Sequence, residues 1–111
     1  MISNQFASVN VNTASDNTVI PAPSRDTQRI VVLGYSLFNQ VATAQTVQFK
    51  SGSTAITAAM ALPSAIGGGH VVQSGSNTTG VFYARPGEAL NLTLSAGTAV
   101  TGLIQYRYAQ G

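Results

Sequence analysis

The sequence predicts an all-β chain: an antiparallel β-sandwich, jelly-roll-like, of about eight short strands. Three observations predict it. Apolar and polar residues alternate with a period of two in several runs, most plainly at Leu90, Leu92 and Leu94 against Asn91, Thr93 and Ser95. Gly, Pro and Asn signals separate those runs at short intervals. No run carries a sustained apolar spacing of three and four residues, so no amphipathic helix is expected.

Taken in order, residues 1–6 read as an N-terminal arm, and residues 7–111 as a single β-sandwich domain. Ala7, Val9 and Val11 alternate with Ser8, Asn10 and Asn12, giving a first strand. Ala14 to Arg25 is polar and carries Pro21 and Pro23, so an extended surface crossover is expected there. Gln28 to Phe38 is the longest apolar strand. Strict alternation sets Ile30, Val32 and Phe38 on one face and Val31, Leu33, Tyr35 and Leu37 on the other. A strand apolar on both faces is either central to the core or shared with another subunit.

Thr46 to Ser51 should form a strand with Val47 and Phe49 inward, followed by a turn at Gly52 and a short strand near Ala55 to Ala58. Ala58 to Ile66 is the one stretch where a helical turn is tolerable, and Pro63 limits it. Gly67-Gly68-Gly69 breaks that stretch. His70 to Ser74 and Val81 to Ala84 follow as strands, joined by a Gly- and Ser-rich link. Arg85-Pro86-Gly87-Glu88 is a tight turn with Pro at its second position. Beyond it, Leu90 to Leu94 and Val100 to Tyr108 read as a β-hairpin turned at Ala96-Gly97-Thr98, where Gly97 is able to take positive φ at no steric cost. Its greasy side needs a second sheet to cover it.

At 111 residues the chain suits one domain that buries roughly 65% of its unfolded surface. Charged residues make up only 7%, against about 25% in an average domain, so Ser, Thr, Asn and Gln must carry the polar surface. Isolated proteins guard sheet edges with charge, and this chain holds a single lysine. Assembly, or docking onto a larger surface, is therefore expected over a free monomer. A net charge of +2, scattered along the chain, is too small to argue for nucleic acid. There is no cysteine, so no disulfide framework and no thiolate metal site. The N-terminus lacks the basic and apolar regions of a signal peptide, and the longest greasy run is far short of a membrane span. The expectation is a soluble chain made in the cytoplasm, with no membrane partner.

The chemical inventory is thin. Three acids (Asp16, Asp26, Glu88) and one histidine fall in separate segments. His70 reads either as a lone general base after a glycine loop or as a surface histidine opening a strand. Nothing beside it supplies a nucleophile or an orienting acid, which favours the second reading. Gly67-Gly68-Gly69 lacks the Lys-Ser/Thr and the helix of a phosphate cradle. Asp16 or Asp26 alone is too little for calcium. The sequons at Asn77 and Asn91 carry no weight without a secretory signal. No enzyme, no cofactor and no small-molecule substrate is expected.

The segments Asn17–Pro23, Arg29–Tyr35, Val47–Thr54 and Gly87–Ser95, with the closing Gly102-Leu103-Ile104-Gln105-Tyr106, resemble small all-β virion proteins of tailed bacteriophages. These include capsid cement (decoration) proteins of cyanophage-like viruses. The resemblance spans roughly residues 17–108 and its motifs are structural rather than catalytic. It implies a homotrimer on the virion, seated on the outer surface of the major capsid protein shell. On that reading Ile2, Phe6, Pro21, Pro23 and Arg25 are candidates for capsid contact, and Val31, Leu33, Tyr35 and Leu37 for subunit contact. The alternative is a tail- or fibre-associated domain that binds a receptor glycan through Tyr83, Tyr106 or Tyr108.

Overall fold

A computed structural model describes residues 5–73 and 80–110, without the side chains of His70 and Gln73. Among these residues there are ten strands and no helix. They are β1 (Gln5–Val11), β2 (Ser15–Ile20), β3 (Gln28–Asn39), β4 (Gln45–Ser51), β5 (Thr54–Ala55), β6 (Met60–Leu62), β7 (Gly69–Gln73), β8 (Phe82–Tyr83), β9 (Leu90–Leu94) and β10 (Val100–Gln110).

The strands form two antiparallel sheets. The first runs β1-β10-β3-β7, with β8 also on β3; the second runs β2-β9-β4-β5, with β6 also on β4. Successive strands thus alternate between the sheets at both ends of the chain, which is the jelly-roll connection. The core lies between the sheets. Val47, Phe49, Leu90, Leu92 and Leu94 come from the second sheet, and Val9, Ile30, Val32, Leu37, Val100 and Ile104 from the first. Phe49 meets Tyr35 edge-on at 5.0 Å and Phe82 at 4.9 Å, so an aromatic group ties the layers together.

Several expectations need correcting. β9 and β10 are not hairpin partners: β9 pairs with β2 and β4, and β10 with β1 and β3. The turn at 95–99 is an arch between sheets, which lets two greasy faces meet instead of sharing one face. Gly97 takes no positive φ there; Gly87, with φ 78°, does, in the Arg85–Glu88 turn closed by Glu88 N donating to Arg85 O at 3.1 Å. The polar segment after Ala14 contains β2, and the tolerated helical turn is instead β6, paired to β4 at Val47↔Met60. Gln5 and Phe6 open β1, paired with Tyr106 and Gln105. Residues 1–4 and the 74–79 link lie outside the described residues.

β3 departs from strict alternation. Gln105 faces Gly34 but Tyr106 faces Val32, so Leu33 is an extra, bulged residue. The bulge resets the faces: Ile30, Val32, Tyr35 and Leu37 all join the core. Phe38, which strict alternation placed with Ile30 and Val32, does not join them in the core.

Candidate functional site

The outer face of the first sheet is built from the residues of β1, β10, β3 and β7 that alternate with the core. Phe6 (62% exposed), Val71 (65%) and Leu103 (42%) stand on it. Pairing brings them together: Phe6 lies opposite Gln105, Gln105 opposite Gly34, and Ser36 opposite both Leu103 and Val71. These residues, with Tyr35 and Val72, surround a shallow hollow of about 130 Å³. Gly34 and Ser36 give it a low floor and the three apolar side chains give it walls.

Farther along β3, Val31 and Leu33 are buried, although both sit outside the central core cluster. The chain at Gly80 and Tyr83 runs over Val31: Val31 pairs with Tyr83, and Val81 N donates to Val32 O at 2.7 Å. Tyr83 is exposed, and the Arg29 guanidinium stacks on its ring at 4.2 Å.

The second sheet presents a different outer face. Its outward positions on β4 and β9 are Thr46, Gln48, Lys50, Asn91 and Thr93. Lys50 Nζ lies 3.3 Å from Asp16 Oδ1, and the Thr93 hydroxyl donates to the same oxygen. The Thr93 bond, joined by Lys50 and opposed by slight burial, holds the Asp16 carboxyl below its usual range. This face is polar, and its Lys50 and Asp16 charges are paired. One end of the sandwich is tied by buried amides: Gln45 Nε2 donates to Asn39 Oδ1 at 3.1 Å, and Asn39 Nδ2 to Thr43 O and Pro63 O.

Of the residues singled out for capsid contact, Phe6 lines the hollow and Ile2 lies outside the described residues. Pro21, Pro23 and Arg25 fall in the crossover from β2 to β3, Pro21 and Arg25 exposed, and none lines the hollow. Of the subunit-contact candidates, Val31 and Leu33 lie on the outer side of β3. Tyr35 and Leu37 are corrected: the bulge turns them inward, 6% and 0% exposed, and the Tyr35 hydroxyl donates to Met60 Sδ at 3.4 Å. The glycan candidates separate likewise, since Tyr106 is buried and Tyr108 half-buried against the core, leaving Tyr83 exposed. Val71 and Leu103 were missed. Their signal was an apolar residue on a polar face, as Leu103 stands between Thr101 and Gln105.

Among the described residues no group of three or more His, Asp or Glu side chains could hold a metal ion. His70 is in β7, opposite Leu37. No helix among these residues is long and apolar enough to cross a membrane.

No protein-family model matches the chain, and no curated protein matches it. A solved structure of Bacillus endospore appendages, described as a family of disulfide-linked pili, is similar at a TM-score of 0.47 and 16% identity. The likeness covers 96% of this chain and 85% of that one.

Proposed function

We propose that this chain is a structural subunit of a virion: a capsid cement (decoration) protein that seats on the outer surface of the major capsid protein shell as a homotrimer. The observation that supports this reading is the contrast between the two outer faces. The second sheet turns polar residues to water, with Lys50 paired to Asp16, while the first turns out Phe6, Val71 and Leu103 around a hollow. An apolar patch of that kind marks a contact surface. A rigid sandwich needs nothing more to act as a clamp. Three copies on neighbouring capsomers would convert weak single contacts into firm attachment, since effective concentrations for a tethered contact reach about millimolar. The proposal assigns the chain no catalytic step.

The test is add-back to purified heads that lack the protein. Wild-type protein should bind and raise their resistance to heat and to low salt, and the double variant Phe6→Ser, Leu103→Ser should bind at least about tenfold more weakly. Heads whose stability is unchanged by removal or add-back would overturn the proposal. Binding to host cells or glycans instead, abolished by Tyr83→Ala, would move the chain to the tail or fibre.

A further inference from the structure

We propose that β1 is a self-pairing edge, which forms an antiparallel two-fold pair with β1 of a second copy of this chain. This goes beyond the seating on a shell and does not require it. A sheet edge exposes unpaired N–H and C=O groups, and proteins blunt such edges with short strands, charges, prolines or bulges. The other edges described here are blunted or shorter. β2 carries Asp16 bridged by Lys50, a bulge between Thr18 and Ile20, and a φ of 100° at Ser15. β5 and β8 are two residues long, β6 three and β7 five.

β1 has none of these devices. It runs seven residues in unbroken register from Gln5↔Tyr106 to Val11↔Val100, and among the described residues it pairs with β10 on one side only. Its sequence, Gln-Phe-Ala-Ser-Val-Asn-Val, holds no charge and no proline.

The same absence of charge identifies the occupant. In a two-fold contact each residue meets its own copy or a mirrored partner, so any charge at the centre of the strand would be opposed by itself. β1 meets its own copy without that penalty. Full overlap of seven residues sets Ser8 against Ser8, Phe6 against Asn10 and Ala7 against Val9. That register preserves the alternation, so the two first sheets join into one with both cores on the same side. Phe6, exposed in the single chain, then gains a neighbour on the outer face.

The test uses the full chain, with mass measured by light scattering and sedimentation across a concentration series. Wild type should form a particle at least twice the mass of the unit formed by Ser8→Lys, Asn10→Lys. That variant and Ser8→Glu, Asn10→Glu should each self-associate about tenfold more weakly, and an equimolar mixture of the two should recover the wild-type mass. Both side chains are exposed, so circular dichroism and thermal unfolding should match wild type. If the paired changes unfold the chain, the single variants Ser8→Lys and Ser8→Glu give the same comparison. Wild-type mass retained by either charged variant, or no recovery on mixing, would overturn the proposal. Failure on heads with intact doubling would instead count against the cement reading alone.

Discussion

Gly102 and Ser36 stand so close across β10 and β3 that a Cβ on Gly102 would lie 1.8 Å from the Ser36 carbonyl oxygen. No side chain fits there, and the atom it would strike is backbone of the central strand. Gly102→Ala should therefore destabilise by about 3 kcal/mol or more, the range of overpacking and backbone strain combined. Thermal unfolding checks this, with Leu103→Ala as the control. Leu103 is the next residue along the strand but its side chain is exposed, and its loss should change stability by only about 0.5 kcal/mol.

A second pin joins the Arg85–Glu88 turn to β4. The buried Ser51 hydroxyl donates to Glu88 Oε1 at 2.5 Å and accepts from Arg85 N at 2.8 Å. Gly52 N donates to Ala89 O at 2.9 Å beside it, so the turn that launches β9 is held at three points. Ser51→Ala leaves the Arg85 N–H and the Glu88 carboxylate without this partner. The expected cost is about 1–3 kcal/mol, read by urea unfolding. Glu88→Gln keeps an acceptor for Ser51 and should cost less.

The sandwich was legible because the signals that specify it are local. Leu90, Leu92 and Leu94 alternate cleanly, and all three are buried as their period requires. What the sequence left unsaid is what depends on partners distant in the chain. The apparent hairpin from Leu90 to Tyr108 has the right pattern for two inward faces, but pattern alone does not distinguish strands side by side from strands face to face. β2 went unseen because an edge strand with one polar face and few inward residues, chiefly Val19 and Ile20, shows little period. The bulge at Leu33 inverted the reading of Tyr35 and Leu37, since one extra residue flips every side chain beyond it. The same strictness concealed the hollow, whose walls come from β1, β7 and β10 and converge only through pairing with each other and with β3.

Two buried tyrosines set the behaviour in alkali. Burial raises the Tyr35 hydroxyl above its ordinary value of 10.0, and burial raises Tyr106 likewise, reinforced by Tyr108, whose ring lies 5.5 Å away. A raised folded value means the neutral form is favoured in the native state. The unfolded chain releases these protons near pH 10, while the folded chain holds them longer. The stability these groups contribute is therefore complete below about pH 10 and is lost as pH rises through their folded values. Unfolding midpoints measured from pH 8 to 12 should stay level at first and then fall. Tyr35→Phe removes one of the two linked protons, at the expense of the bond to Met60 Sδ, and should make the alkaline fall shallower.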